Sequence, residues 1–225
     1  MIIVGLSGPS CSGKSTLARH LRLVLPNAGI LYEDDFYLPE SALPVDKNGD
    51  PNWDCPQSFD VAKLRDTLRE IKSSNQLPIQ NTREDGNNVS SIMLSPAELA
   101  SLRAKYSHMV EPVLLVDGII LYHKDVAIDS LLDLKLLVPF DYNSLKERRE
   151  SRKVYETLEG QWIDPPHFFE EVVWPEFTKH CGNLYVPNGL EYKKLSPLAV
   201  KQNIKLTLDS EDMSAVITNC LDEIR

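Results

Sequence analysis

Gly5-Leu6-Ser7-Gly8-Pro9-Ser10-Cys11-Ser12-Gly13-Lys14-Ser15-Thr16 is the stretch that decides the fold. Ahead of it, Met1 to Leu6 is a short apolar, β-forming run; behind it Leu17, Leu21, Val24 and Leu25 recur at helical spacing. A strand, a glycine-rich loop and a helix in that order, with Gly8, Gly13, Lys14 and Ser15 at the required spacing, satisfy the P-loop pattern. Such a loop surrounds phosphates with backbone N–H groups, sends a lysine to the outer phosphate oxygens and offers a hydroxyl to Mg²⁺. Ser10, Cys11, Ser12 and Thr16 therefore join Gly8, Gly13, Lys14 and Ser15 as candidate nucleotide contacts. Cys11 reads as a small loop filler in preference to a redox sensor, because no resolving thiol is placed near it.

The 225 residues fit a single domain spanning the whole chain, long enough to bury a continuous core. A net charge of -9 and a pI near 5.1 count against nucleic acid and anionic membranes as main partners, since both reward clustered Lys and Arg. The one dense basic group is Lys146, Arg148, Arg149, Arg152 and Lys153. Cys11, Cys55, Cys181 and Cys220 form no CxxC pair, which excludes a zinc ribbon or disulfide framework and suggests reduced thiols. No apolar run reaches the roughly 18 residues of a membrane span. The N-terminus lacks a basic leader, so the expected location is the cytoplasm or nucleus, as a monomer or weak homodimer.

Beyond the first helix, Pro26-Asn27 marks a stop and Gly29 to Tyr32 a second strand ending in Glu33-Asp34-Asp35. Phe36 to Pro56 reads as an ordered loop, and Val61, Leu64, Leu68 and Ile71 as one face of a helix. Residues 73–110 are expected as a surface insertion carrying a helix with Ser95 as N-cap and Pro96 at its first position. Val113 to Tyr122, interrupted by Asp117-Gly118, has the continuous apolar character of a strand buried on both faces. Further strands are expected at Leu134–Val138 and Asn183–Val186, with helices over Tyr142–Val154, Pro165–His180 and Met213–Ile224. Alternating strands and helices give a three-layer α/β fold, a parallel sheet of about five strands flanked by helices.

Phosphoryl transfer needs a nucleophile aligned on the γ-phosphate and cations that neutralise the equatorial oxygens. Asp34, at the end of the second strand, is the first candidate for catalytic base and Mg²⁺ neighbour. Asp35 is second, with capping of the next loop as its alternative. Asp117, ending the apolar strand, occupies the position of an acid that steadies Mg²⁺, although a charge there also serves as a simple strand terminus. The candidate metal set is Ser15, Asp34 and Asp117. Asp46-Lys47-Asn48-Gly49-Asp50 resembles the start of a calcium loop, but Pro51 and Gln57 break that pattern and leave a turn. Its DxxG match is not followed by a guanine-reading NKxD.

Taken together, GPSCSGKS, EDDFYLPE, DKNGDPNWDCPQSFD, LLVDGIIL and KERRESRK resemble the uridine kinase and phosphoribulokinase superfamily of P-loop kinases, most closely nicotinamide riboside kinases of the fungal type. The resemblance covers nearly the whole chain and is weakest over Ser73 to Val110 and the C-terminal helix. It implies ATP as phosphoryl donor, a nucleoside as acceptor and Mg²⁺ as cofactor. It also implies that Asp34 activates the acceptor, that Phe36 and Tyr37 shape its pocket, and that Trp53 and Asp54 grip the nucleoside. Arg148, Arg149 and Arg152 become a small lid, with Lys14 and Arg152 serving catalysis beside Asp34. Two positions depart from the family: Trp53 stands where Tyr is frequent and Asp117 where Glu is frequent.

Residue chemistry is compatible with these roles. A Trp face suits a cationic pyridinium, with a gain of about 0.5–2 kcal/mol, and Asp54 can accept from ribose hydroxyls; a core aromatic is the alternative for Trp53. Arg148 and Arg152 share a helical face for phosphates, while Arg149, one position round, can address the acceptor. Pairing with Glu147 and Glu150 on a solvated helix is the competing reading. Rival functions are a uridine/cytidine kinase, a nucleotide-binding regulatory module and a P-loop ATPase acting on a macromolecule.

Overall fold

The computed structural model describes residues 1–78, 94–152, 154–156 and 160–224. In chain order come β1 (Ile2–Ser7), α1 (Lys14–Val24), β2 (Ala28–Tyr32), α2 (Val61–Ser74), α3 (Pro96–Lys105), β3 (Val113–Gly118), β4 (Leu134–Leu137), β5 (Phe140–Asp141), α4 (Tyr142–Ser151), β6 (Tyr155–Glu156), β7 (Gln161–Trp162), α5 (Trp174–His180), β8 (Glu191–Tyr192), α6 (Pro197–Lys201), β9 (Ile204–Leu206) and α7 (Met213–Ile224). Five strands form one all-parallel sheet in the order β2-β3-β1-β4-β9. The short strands pair as two antiparallel ribbons, β5 with β8 and β6 with β7.

Side-chain alternation along the central strands feeds two cores. Val4 and Leu6 of β1 and Val113 and Leu115 of β3 pack with Leu17 and Leu21 of α1, Leu102 of α3 and Ile217 and Leu221 of α7. Ile3, Leu114 and Val116 face the opposite layer, with Leu64 and Leu68 of α2 and Phe177 of α5. Helices on both faces explain the continuous apolar character of β3. This is the expected three-layer α/β architecture of a P-loop kinase.

Local chemistry sets the helix ends. Ser95 and Glu98 form a reciprocal capping box at α3, with Pro96 following the cap. Asp60 caps α2 through the Lys63 N–H, and Asn75 ends it in the left-handed conformation. No described helix is long and apolar enough to cross a membrane.

Several elements differ from expectation. The sheet's fifth strand is Ile204–Leu206, a three-residue edge strand too short to show periodicity. Asn183–Val186 is no strand: Gly182–Leu184 forms a 3-10 turn, and Leu184 and Tyr185 are apolar because they plug the core. The helix expected from Pro165 begins later, with a π-helical turn over Phe169–Val173 that leads into α5. Pro175 has no N–H to close an α-turn on Glu171, so the ladder is interrupted there. Phe169, Val173 and Phe177 are nevertheless all buried, as their spacing predicts. Of the expected insertion, 79–93 lies outside the described residues; α3 is integral to the fold, with Tyr106 fully buried and its hydroxyl donating to Asp222 at 2.8 Å.

A histidine pair ties the end of α5 to the segment after β3. His180 Nε2 lies 2.9 Å from Glu176 Oε2, its Nδ1 lies 3.3 Å from His123 Nε2, and the Asp125 N–H donates to His123 Nδ1 at 3.3 Å. Both rings satisfy this chain as neutral tautomers. Burial holds both below the ordinary 6.5, helped by Lys124 at His123 and by Lys179 at His180, and opposed by Asp125 and Glu176. Because the unfolded chain then takes up protons first, stability present above about pH 6.5 is lost as pH falls. The stability advantage of the wild type over His180→Gln, read as a difference in urea midpoint, should therefore shrink from pH 7 to pH 5.

Candidate active site

The phosphate loop leaves β1 at Ser7 and enters α1 at Lys14. Gly13 adopts φ 95°, a left-handed conformation that favours glycine, and caps α1 without a side chain, leaving first-turn N–H groups for an anion. Cys11 also takes a positive φ of 64°. Lys14 is buried, its Nζ 3.5 Å from the Pro9 carbonyl. The Cys11 sulfur lies 3.8 Å from the hydroxyls of Ser10 and Tyr155, so it stands between the phosphate loop and β6.

β3 places Asp117 directly beside this loop, in register with Leu6 on β1 and Tyr32 on β2. Asp117 is 3% exposed, and among the described residues its Oδ1 is buried with no hydrogen-bond partner. Burial raises its pKa, Lys14 and the Ser15 hydroxyl pull it down, and Asp34 pushes it up. Ser15, Lys14, Asp34 and Asp117 are thus within one electrostatic neighbourhood. A buried carboxylate oxygen with no protein partner, next to a P-loop hydroxyl, fits a hard divalent cation, for which oxygen donors are the preferred ligands.

Asp34 does not sit on β2 itself. It lies in a 3-10 turn, Glu33–Phe36, immediately after the strand, and is exposed to the cleft while Glu33 and Phe36 point inward. Asp35 is half-buried in the same turn. Asp34's charge acts on Glu33, Tyr37, Asp54 and Asp117, so it shares one electrostatic neighbourhood with all three buried acids.

Tyr37, Trp53 and Asp54 come together near Asp34. Tyr37 stacks on Phe59 at 4.2 Å and meets the edge of Trp53 at 5.2 Å; Trp53 lies 6.0 Å from Trp162. Trp53 is only 8% exposed, so it is a packed ring, yet its Nε1 has no partner among the described residues. Asp54 is likewise buried with Oδ2 unpartnered. Burial raises the Asp54 pKa, Arg149 draws it down, and Asp164 and Asp34 push it up. The loop between Tyr37 and Trp53 is the turn expected at Asp46, whose carboxylate accepts from the N–H groups of Asn48 and Asp50.

The arginines separate by depth. α4 stops at Ser151, so the expected helix over Tyr142–Val154 is shorter; Arg152 is its extended C-cap, and the chain continues as the β6–β7 ribbon. Arg148 is exposed and donates to the Cys11 carbonyl at 3.3 Å. The Arg152 guanidinium lies 4.0 Å from the Tyr155 ring centroid. Arg149 is buried, bonded to Asp164 and to Ser10 of the phosphate loop. Burial works against its charge, but Asp54 and Asp164 outweigh it and keep it cationic. On the same helix Glu150 pairs with Lys146 at 3.8 Å.

Four residues escaped sequence reasoning: Glu33, Tyr155, Trp162 and Asp164. Glu33 carried a signal, since it continues the inward face of Leu31 with period two. Its Oε2 accepts from the N–H groups of Ile119 and Ile120 at 2.7 and 3.1 Å, bolting the Asp34 turn to the segment after Asp117. Gly118 makes room for it: a Cβ there would lie 2.4 Å from the same oxygen. Tyr155, Trp162 and Asp164 belong to a ribbon with no spacing template.

A glycine-rich loop between β1 and α1, Asp117 in register beside it and Asp34 on the turn after β2 are the fold and site of a P-loop kinase. No protein-family model matches the chain. Nicotinamide riboside kinase of Schizosaccharomyces pombe is 35% identical over 223 residues, 93% of this chain and 95% of that protein. The Saccharomyces cerevisiae enzyme of that name is 34% identical over 219 residues, 94% and 90% of the two chains. Human nicotinamide riboside kinase 1 is 28% identical over 178 residues, 79% and 75%. The chain belongs to the nicotinamide riboside kinase family.

Glu33 can be tested apart from the substrate. Burial, assisted by Asp34, raises its pKa to about 8 from 4.5, against the pull of the two N–H groups and Lys14. The unfolded carboxyl ionises first, so Glu33 detracts from stability increasingly between pH 4.5 and pH 8. Glu33→Gln, which keeps an oxygen for both N–H groups, should gain stability over the wild type across that window and retain turnover. Glu33→Ala should lose about 1–3 kcal/mol for the abandoned N–H groups and turn over more slowly. Denaturant melts at several pH values and a coupled kinase assay read both outcomes.

Proposed function

We propose that this protein transfers the γ-phosphoryl group of ATP to the 5′-hydroxyl of nicotinamide riboside, and of nicotinate riboside, giving the mononucleotide in a salvage step towards NAD. Kinase relatives with matched coverage support the donor and the reaction class. The observation that carries the acceptor assignment is the pairing of Trp53, packed with its Nε1 unpartnered, with the buried carboxylate of Asp54, beside Tyr37 and Trp162. Aromatic faces and nearby anions favour a cationic ring carrying a polar ribose.

In this reading Asp34 accepts the proton of the acceptor hydroxyl as its oxygen bonds to the γ-phosphorus, and the bond from that phosphorus to the β,γ-bridging oxygen breaks to release ADP. Lys14 and the α1 N-terminus hold the phosphates, with Ser12, Gly13 and Thr16 lining the cradle. Arg148 and Arg152 cover them from the lid, and Arg149 with Asp54 addresses the ribose. Ser15, Asp34 and Asp117 are the residues to hold Mg²⁺, which supplies charge neutralisation on the phosphate oxygens when bound.

Steady-state assays with nicotinamide riboside, uridine and cytidine test the assignment. Nicotinamide riboside should have the highest kcat/KM; uridine turning over faster would overturn it. Asp34→Ala should bind ATP normally while turnover drops by about 10²–10⁴, and near-normal turnover would remove Asp34 from its role. Trp53→Ala should raise the KM for nicotinamide riboside more than that for ATP, and equal changes would argue against a ring contact.

A further inference from the structure

Asp164 takes no part in the chemistry above, yet the lid is organised around it. It follows β7, and its side chain is 16% exposed. Its Oδ2 accepts from Arg149 Nε at 2.6 Å and its Oδ1 from Arg149 Nη2 at 2.9 Å. Oδ1 also accepts from Trp162 Nε1 at 2.8 Å. A two-pronged bond of this kind fixes the plane of a guanidinium as well as its position. With that plane set, Nη1 donates to Ser10 Oγ at 2.8 Å, and the Tyr155 and Phe168 ring centroids lie 4.3 and 6.0 Å from the guanidinium carbon. Three of the five N–H groups of Arg149 are thereby engaged by described residues, which leaves donors on the terminal nitrogens for a ligand.

We infer that Asp164 is a positioning residue, which holds the Arg149 cation in one orientation between Ser10 of the phosphate loop and Asp54 of the acceptor pocket. Through Arg149 it links the β6–β7 ribbon to both substrate walls. Trp162, hung on the same carboxylate and facing Trp53, is brought into register with the acceptor side by the same anchor. The inference rests on the kinase reading, because the orientation matters only if an acceptor meets Arg149.

The test is a double-mutant cycle on the full chain, with kcat and both KM values measured on whichever of nicotinamide riboside, uridine and cytidine the wild type phosphorylates. Asp164→Asn should lower kcat/KM for the nucleoside at least tenfold and change the KM for ATP less than twofold. In an Arg149→Lys background, where no fork can form, the same substitution should change kcat/KM less than twofold, since Asp164 acts through Arg149. Should Asp164→Asn fail to fold, Asp164→Glu takes its place: a carboxylate moved by one methylene, expected to show the same nucleoside-specific loss. The inference is overturned by unchanged kinetics, by equal losses in both backgrounds, or by equal losses for ATP and nucleoside. A wild type that prefers uridine would refute the substrate assignment alone, since the cycle is then read on uridine.

Discussion

Asp117 reaches the phosphate loop only because β3 runs parallel to β1 with Leu6 opposite Asp117 and Ser7 opposite Gly118. A slip of one residue would turn every side chain of β3 to the other face of the sheet. The apolar run from Val113 to Val116 does little to forbid that, because both faces are buried and either would accept Val or Leu. Gly118 does forbid it. Glu33 occupies the space where any Cβ at that position would stand, and it grips the next two N–H groups of the chain. One carboxyl from β2's exit therefore pins the register of β3, and with it the placement of Asp117 relative to Asp34.

That pin sits in an electrostatically demanding place. Glu33, Asp54 and Asp117 are all buried, burial raises the pKa of each, and each is further repelled by Asp34. Lys14 opposes all three, and Arg149 opposes Asp54. Crowding anions this way detracts from stability, but it makes the cleft receptive to positive charge. Both partners proposed for it bring that charge: a divalent cation on the Asp117 side and a pyridinium ring on the Asp54 side. These acids share the cleft with Lys14 and Arg149, which keeps opposite charges close on its two sides.

The phosphate loop, the strand at Val113 and the acids at strand ends were legible because each follows from a short-range rule: a spacing, a continuous apolar run, a position on the parallel sheet's C-terminal edge. Val61–Ser74, Pro96–Lys105 and Met213–Ile224 were legible from periodicity and caps. What stayed hidden depends on long-range packing. Ile204–Leu206 is a strand because β4 offers an open edge, whereas Asn183–Val186 finds only a single antiparallel bridge, Tyr185 with Leu195, outside the main sheet. The end of α4 at Ser151 is set by the ribbon that follows, and Asp164 acquires its partners only when that ribbon folds back over the phosphate loop.

The arginines show where helical spacing stops being informative. Spacing groups Arg148 with Arg152 and treats Arg149 as the odd member. Burial reverses the emphasis, since Arg149 alone is drawn into the interior, where Asp54 and Asp164 keep it charged. A guanidinium with fixed planarity and five donors can touch a phosphate-loop hydroxyl and still have donors to spare, which a lysine at the same place could not match. The phosphate loop and the buried Asp54 therefore meet at one side chain. The same guanidinium that bonds Ser10 feels the charge of Asp54, so the plane that Asp164 fixes is set between the phosphate loop and the turn that carries Trp53.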